Sequence, residues 1–217
     1  MTKKDLLLVA LIGGLVGLLI QPVLVNVQAV GTLGSFFGLT DDLLRLAVFL
    51  FFLVFAPLAL AVANLIRPYV PVLYQFAKFG AVGTLNSFID LGVLNVLNLV
   101  SGIPADKLSN LMFGTFKTIS FLLATTNSYL WNKNWTFGDQ SRSQAGTVVK
   151  FYVITGVNWV LNVGVATGVK ALGPAFGTAE LWVNVVAPLA GIFAGLLGNF
   201  LGYKYLVFKK EEPKVLA

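Results

Sequence analysis

The sequence predicts an all-α fold: a polytopic membrane helical bundle of six transmembrane helices, an N-terminal hairpin followed by a four-helix core. Three observations carry this. The 217 residues are 57% hydrophobic and 11% charged with mean hydropathy +0.85, and several apolar runs exceed the ~18 residues that argue for a spanning helix. Positive charges gather at alternate loops. Residues 79–137 and 151–208 read as two copies of one unit, the signature of an internal repeat.

The expected spans are 6–28, 43–66, 79–102, 108–130, 148–171 and 182–206. The first carries a Gly13–Gly17 spacing and Gln21-Pro22; the second carries Pro57. Gly31 to Asp42 reads as a short external loop between them. Lys3 and Lys4 before an apolar run, with Val27-Gln28-Ala29 behind it, also fit a signal peptide. The length of the run and Asp5 in its positive flank favour a retained helix. Leu65 to Gln75, with Arg67, Pro68 and Pro71, reads as a Pro-rich connector. It divides an accessory hairpin, residues 1–68, from a core domain, 69–212, with a tail at 213–217. The polar stretch Gly138 to Thr147 joins the two repeats.

Lys3, Lys4, Arg67, Lys78, Lys133, Arg142, Lys150, Lys204, Lys209, Lys210 and Lys214 all fall on one side of this topology. The opposite loops hold Asp41, Asp42, Asp106 with Lys107, and Lys170 with Glu180. The positive-inside rule then places both termini in the cytosol of a multi-pass protein of the cell (plasma) membrane. The net charge of +6 is topology plus attraction to anionic membrane lipids, and no nucleic-acid partner is expected. The chain has no Cys and no His, which removes thiol chemistry, the commonest general base and the commonest metal ligand. We therefore expect no enzyme, no catalytic residues, no metal and no cofactor.

The repeat is specific in its detail. Phe79/Phe151, Asn86/Asn158, Asp90/Asn162 and Asn127/Asn199 all match at an offset of 72 residues. The closing motifs, Lys133-Trp135-Phe137 and Lys204-Tyr205-Phe208, match at 71 at their Lys and Phe ends. Both copies enter the membrane from the same side, so they are parallel repeats with a path expected between the hairpins. Asp90 and Lys117 lie near mid-bilayer on neighbouring spans. Each charge costs roughly 2.5–3.5 kcal/mol there, so they are expected to face each other. The sequence leaves open whether the pair is a structural clamp or part of a pathway.

Asn86, Asn127, Asn158 and Asn199 fall in the cytosolic half, with Asn162 deeper, and are expected to line a groove for a polar headgroup. Interhelical hydrogen bonding is the plainer alternative. Lys133 and Lys204 are expected at the inner interface, where a Lys can hold a lipid phosphate. Trp131, Trp135, Tyr203 and Tyr205 beside them are expected to anchor helix ends at headgroup level. The Gly13/Gly17, Gly164/Gly168, Gly191/Gly195 and Gly198/Gly202 spacings are expected to let helices pack closely.

At FAKFGAVGTLNSFIDLGV, NSYLWNKNWTF, KFYVITGVNWVLN and GNFLGYKYLVF the chain resembles the GtrA-like family of small membrane proteins, over roughly residues 74–210. The resemblance implies movement of polyprenyl-phosphate-linked sugars across the membrane in cell-surface polysaccharide synthesis. It also implies a polyprenyl-phosphate lipid as ligand and a membrane glycosyltransferase as a candidate partner, with Asn86, Asp90, Asn127, Lys133, Asn199 and Lys204 handling the headgroup. The family usually has four spans, so the first 66 residues depart from its plan, and a homo-oligomer stays open. Three functions are carried forward: a flippase, a scaffold that recruits a glycosyltransferase, and a small-molecule exporter.

Overall fold

A computed structural model of the chain describes residues 1–136 and 145–202, with side chains at all of these except 71–72, 132–133, 145–153 and 196–202. Every regular element among the described residues is helical. In order they are α1 (Lys3–Leu19), α2 (Gln21–Asn26), α3 (Ala29–Phe37), α4 (Asp41–Ile66), α5 (Pro71–Ser101), a 3₁₀ turn (Ala105–Lys107), α6 (Asn110–Trp131), a π turn (Asn132–Thr136), α7 (Ala145–Ala171), α8 (Ala179–Leu181), a second π turn (Trp182–Val186) and α9 (Ala187–Gly202).

Local chemistry sets the boundaries. Thr2 caps α1 in a reciprocal box with Asp5, and Thr40 caps α4 ahead of Asp41 and Asp42, whose charges suit a helix N-terminus. Pro71 opens α5 at a position where its missing N–H costs nothing, and Gly102 closes it with φ 63°. The expected connector Leu65 to Gln75 is therefore mostly helix: Pro71 starts an element rather than lying in a linker. The expected loop Gly31 to Asp42 is also largely helical, as α3, which exposes Phe36 and Phe37.

Among the described residues, three helical segments are both long and apolar enough to cross a membrane: Lys3–Asn26, Asp41–Ile66 and Leu73–Ser101. The 22-residue α6 is diluted by Lys117 and a run of Thr, Ser and Asn, and Ala179–Gly195 is a shorter apolar helix. The fold is thus an all-helical membrane bundle with three segments that qualify on length and apolarity together. Leu7, Leu50, Phe55 and Leu58, with Leu122 and Val160 across the molecule, expose apolar surface that a water-soluble domain does not carry.

Packing follows the repeat. α5 lies against α6, α7 against α9, and α6 against α7, while α1 sits between α4 and α5. One hydrophobic cluster joins Val9, Ile12 and Val16 of α1 to Leu60 of α4 and to Val82 and Leu85 of α5. The N-terminal hairpin and the repeat-bearing helices therefore share a core. A Cβ at Gly13 would collide with the Phe52 carbonyl of α4, and one at Gly191 with the Asn162 carbonyl of α7. Those two spacings do bring helices together. Gly164 and Gly168 have open space at the Cβ position, so that spacing does not serve close packing; Gly198 and Gly202 lie outside the described side chains.

Candidate functional site

α5 carries a line of polar side chains from one end to the other. Lys78, Asn86, Asp90 and Asn98 are separated by multiples of four, with Tyr74 before them and Asn95 between the last two. Neighbours four apart share a face, but each such step drifts by about 40°, so the line winds slowly around α5 from Lys78 to Asn98. Lys78 to Asn98 spans about 30 Å at 1.5 Å per residue, the thickness of a hydrocarbon core. Partners from six other segments meet this line at four levels.

At the end of the line near the N-terminus, Asp5 of α1 is buried. Lys78 Nζ stands 2.5 Å from Asp5 Oδ1, and Trp135 Nε1 donates to the same oxygen at 2.9 Å. Tyr74 OH and Thr2 Oγ1 donate to Asp5 Oδ2 at 3.0 and 2.8 Å. The Lys78 ammonium lies 5.3 Å from the Tyr74 ring centre and 5.2 Å from that of Trp135, within cation–π range. Sequence reading gave Asp5 no role beyond weakening a positive flank. It also placed Trp135 as a headgroup anchor, whereas Trp135 is 8% exposed and points its N–H into the protein. A buried indole N–H needs an acceptor, and Asp5 is the one within reach. Trp131 is half-buried and packs edge-on against Trp135 at 5.6 Å.

One level further, Asn127 Nδ2 donates to Asn86 Oδ1 at 2.7 Å. Asn158 is buried at the corresponding place in the second copy. These amides were expected to line a groove. Asn86 and Asn127, both half-buried, instead join α5 to α6 through this hydrogen bond.

The centre is the tightest part. Lys117 is 0% exposed and Asp90 3%. Lys117 Nζ donates to Asp90 Oδ2 at 2.5 Å, Ser120 Oγ to Asp90 Oδ1 at 2.6 Å, and Asn162 Nδ2 to Asp90 Oδ2 at 3.2 Å. The expected pairing of Asp90 with Lys117 is present. Its new feature is Asn162, the 72-residue counterpart of Asp90. Equivalent residues of the two copies therefore touch at this carboxylate. Asn162 Oδ1 is buried without a hydrogen-bond partner among the described residues.

At the opposite end of the line, Asn26 Nδ2 of α2 donates to Asn95 Oδ1 at 2.7 Å and to its backbone oxygen at 3.0 Å. Asn95 Nδ2 donates in turn to the Asn184 carbonyl at 2.9 Å, and Asn98 Nδ2 to Asn184 Oδ1 at 2.7 Å. Asn184 sits in the Trp182–Val186 π turn, a few residues ahead of Pro188. A cavity of about 160 Å³, lined by Asn26, Asn98, Glu180 and Asn184 among others, opens beside this level. A second cavity of about 380 Å³ lies between α6 and α7, lined by Asn110, Thr115, Thr118, Trp159 and Thr167 among others. Neither is lined by Asn86, Asn127 or Asn158.

Asn26, Asn95, Asn98 and Asn184 were missed at the sequence level, although Asn98 continues the four-residue step of Asn86 and Asp90. Of the remaining expected residues, Lys133 and Asn199 lie on described helices with their side chains outside the description. Lys204, Tyr203 and Tyr205 lie outside the described residues.

Over 138 residues the chain is 29% identical to the uncharacterized membrane protein YngA of Bacillus subtilis (strain 168), covering 60% of this chain and 77% of that protein. No solved structure matches the chain. Residues 78–208 match the family described as GtrA/DPMS, transmembrane domain, a stretch that takes in the central cluster and both copies of the repeat. The chain is a membrane protein that belongs to the GtrA/DPMS transmembrane-domain family.

Proposed function

We propose that this protein moves a polyprenyl phosphate, free or carrying a sugar, from the cytosolic to the outer leaflet of the plasma membrane for cell-surface polysaccharide synthesis. The observation that carries this reading is the line of polar groups along α5, about 30 Å from Lys78 to Asn98. Polar and charged side chains are expensive at that depth and mark the paths of polar cargo. Membership of the family supports a lipid-linked cargo. In this reading six helical segments span the bilayer, both termini face the cytosol, and the protein is not an enzyme.

The phosphate docks at the inner interface on Lys133 or Lys204 while the prenyl tail stays in lipid. At mid-membrane it replaces Asp90 as the partner of Lys117, and Ser120 and Asn162 hold Asp90 meanwhile. An ion pair with two further donors on its carboxylate suits such an exchange, because neither charge is left bare at any stage. The test is transbilayer movement of a fluorescent polyprenyl-phosphate analogue in liposomes. Protein-dependent movement is the expected result; a rate equal to that of empty liposomes contradicts the reading.

A scaffold that recruits a membrane glycosyltransferase draws on a different observation. Asn86 with Asn127, and Asp90 with Lys117, are already mutually satisfied, as a static clamp would be. It predicts co-purification with a transferase whose activity rises in the protein's presence, with no lipid movement. Nothing in the geometry favours a small-molecule exporter over these two.

A further inference from the structure

The two copies treat equivalent positions differently at the outer end, and the difference places a cation, Lys170, near an open groove; its ammonium lies 5.9 Å from the Phe113 ring centre. Asn98 of α5 donates to Asn184, on the second hairpin. Its counterpart 72 residues on is Lys170 of α7, whose Nζ donates to Asn110 Oδ1 of the first hairpin at 2.9 Å and to the Leu108 carbonyl at 2.5 Å. A neutral amide suffices for this clamp in one copy, so the charge in the other is surplus to it. Lys170 is in neither of the ion pairs found among the described residues.

A second contrast lies just below. Asn95 is satisfied by Asn26 of α2, which packs against α5 and the Trp182–Val186 turn. The counterpart of Asn95 is Thr167, whose Oγ1 is buried without a hydrogen-bond partner among the described residues. It lines the open groove of about 380 Å³ between α6 and α7. Asn110, which holds Lys170, lines the same groove, and Trp159, 40% exposed, forms part of its wall. Lys170 and Trp159 are about 16 Å apart along α7, half the thickness of the hydrocarbon core.

The geometry points to an outer-leaflet site for an anionic lipid, its phosphate on Lys170 and Asn110 and its chain in the α6–α7 groove past Thr118 and Trp159. The leaflet and the lipid class rest on the proposed function; the groove and its cation do not. For a lipid leaving the central cluster, this is a lateral exit.

Trp159 reports directly on the groove. Full-length protein is reconstituted with phosphatidylcholine or phosphatidylglycerol dibrominated on the acyl chains, and quenching due to Trp159 is taken as the difference between wild type and Trp159→Phe. The site predicts quenching by the anionic lipid at about fivefold lower mole fraction, the worth of one cation at a membrane surface. Lys170→Gln abolishes that preference, Lys170→Arg keeps it, and Lys107→Gln, in the same outer loop region, leaves it intact. Millimolar inorganic phosphate does not relieve quenching, whereas unbrominated polyprenyl phosphate relieves it better than polyprenol of equal length. Equal quenching by both brominated lipids, or a preference that survives Lys170→Gln, overturns the site. So does a Trp159 shielded from both lipids, the result expected if a second copy fills the groove. Because the readout is binding, a null transport assay with the preference intact defeats the flippase reading alone.

Discussion

The first hairpin of the repeat (α5 and α6) and the second (α7 to α9) hold their helices together by opposite means. In the first, Asp90 and Lys117 join two helices through a buried ion pair. In the second, the counterparts are Asn162 and Leu189, and the helices meet through Gly191, which brings α9 onto the Asn162 carbonyl. Close backbone approach needs no charge. The first copy therefore carries charges that packing alone does not require, and the second lends it a further donor in Asn162. Duplication supplied a symmetric frame, and the charge was confined to one half of it.

The largest test of this contrast is to remove one charge and then both. Lys117→Met leaves Asp90 buried with only neutral donors and should cost about 3–5 kcal/mol of stability, read as a fall in thermal unfolding temperature in detergent. Asp90→Asn with Lys117→Met should recover most of that loss. A double variant no more stable than Lys117→Met alone would mean that the pair acts through something other than mutual charge compensation.

A smaller effect separates the copies at the ends that carry Asn95 and Thr167. Asn95→Leu strips donors from the Asn184 carbonyl and the acceptor from Asn26, and should cost about 1–3 kcal/mol. Thr167→Val, at the equivalent position, removes a hydroxyl that already lacks a partner and should change stability by less than about 0.5 kcal/mol. Equal losses at the two sites would show that the hairpin contact at Asn26 adds nothing to the first copy.

The sequence carried the architecture further than the site. Apolar runs and the 72-residue offset marked the helices, and mid-membrane depth alone paired Asp90 with Lys117. What it could not show was cross-element satisfaction. Trp135 reads as an interfacial anchor until Asp5, 130 residues away, is seen to take its N–H. The Asn residues read as a groove because pattern gives their face but not their partners, and Asn86 turned out to face Asn127. Asn95 was hidden for a related reason: its partner is the Asn184 carbonyl, on a different hairpin.

The central claim is that the Asp90–Lys117 pair serves the passage of a phosphate rather than the fold alone. The direct measurement is transbilayer movement of the fluorescent polyprenyl-phosphate analogue by the double variant Asp90→Asn with Lys117→Met, shown beforehand to be folded and inserted in liposomes. The account predicts movement no faster than in empty liposomes. Movement at the wild-type rate by this variant would contradict it and leave the pair as a structural clamp.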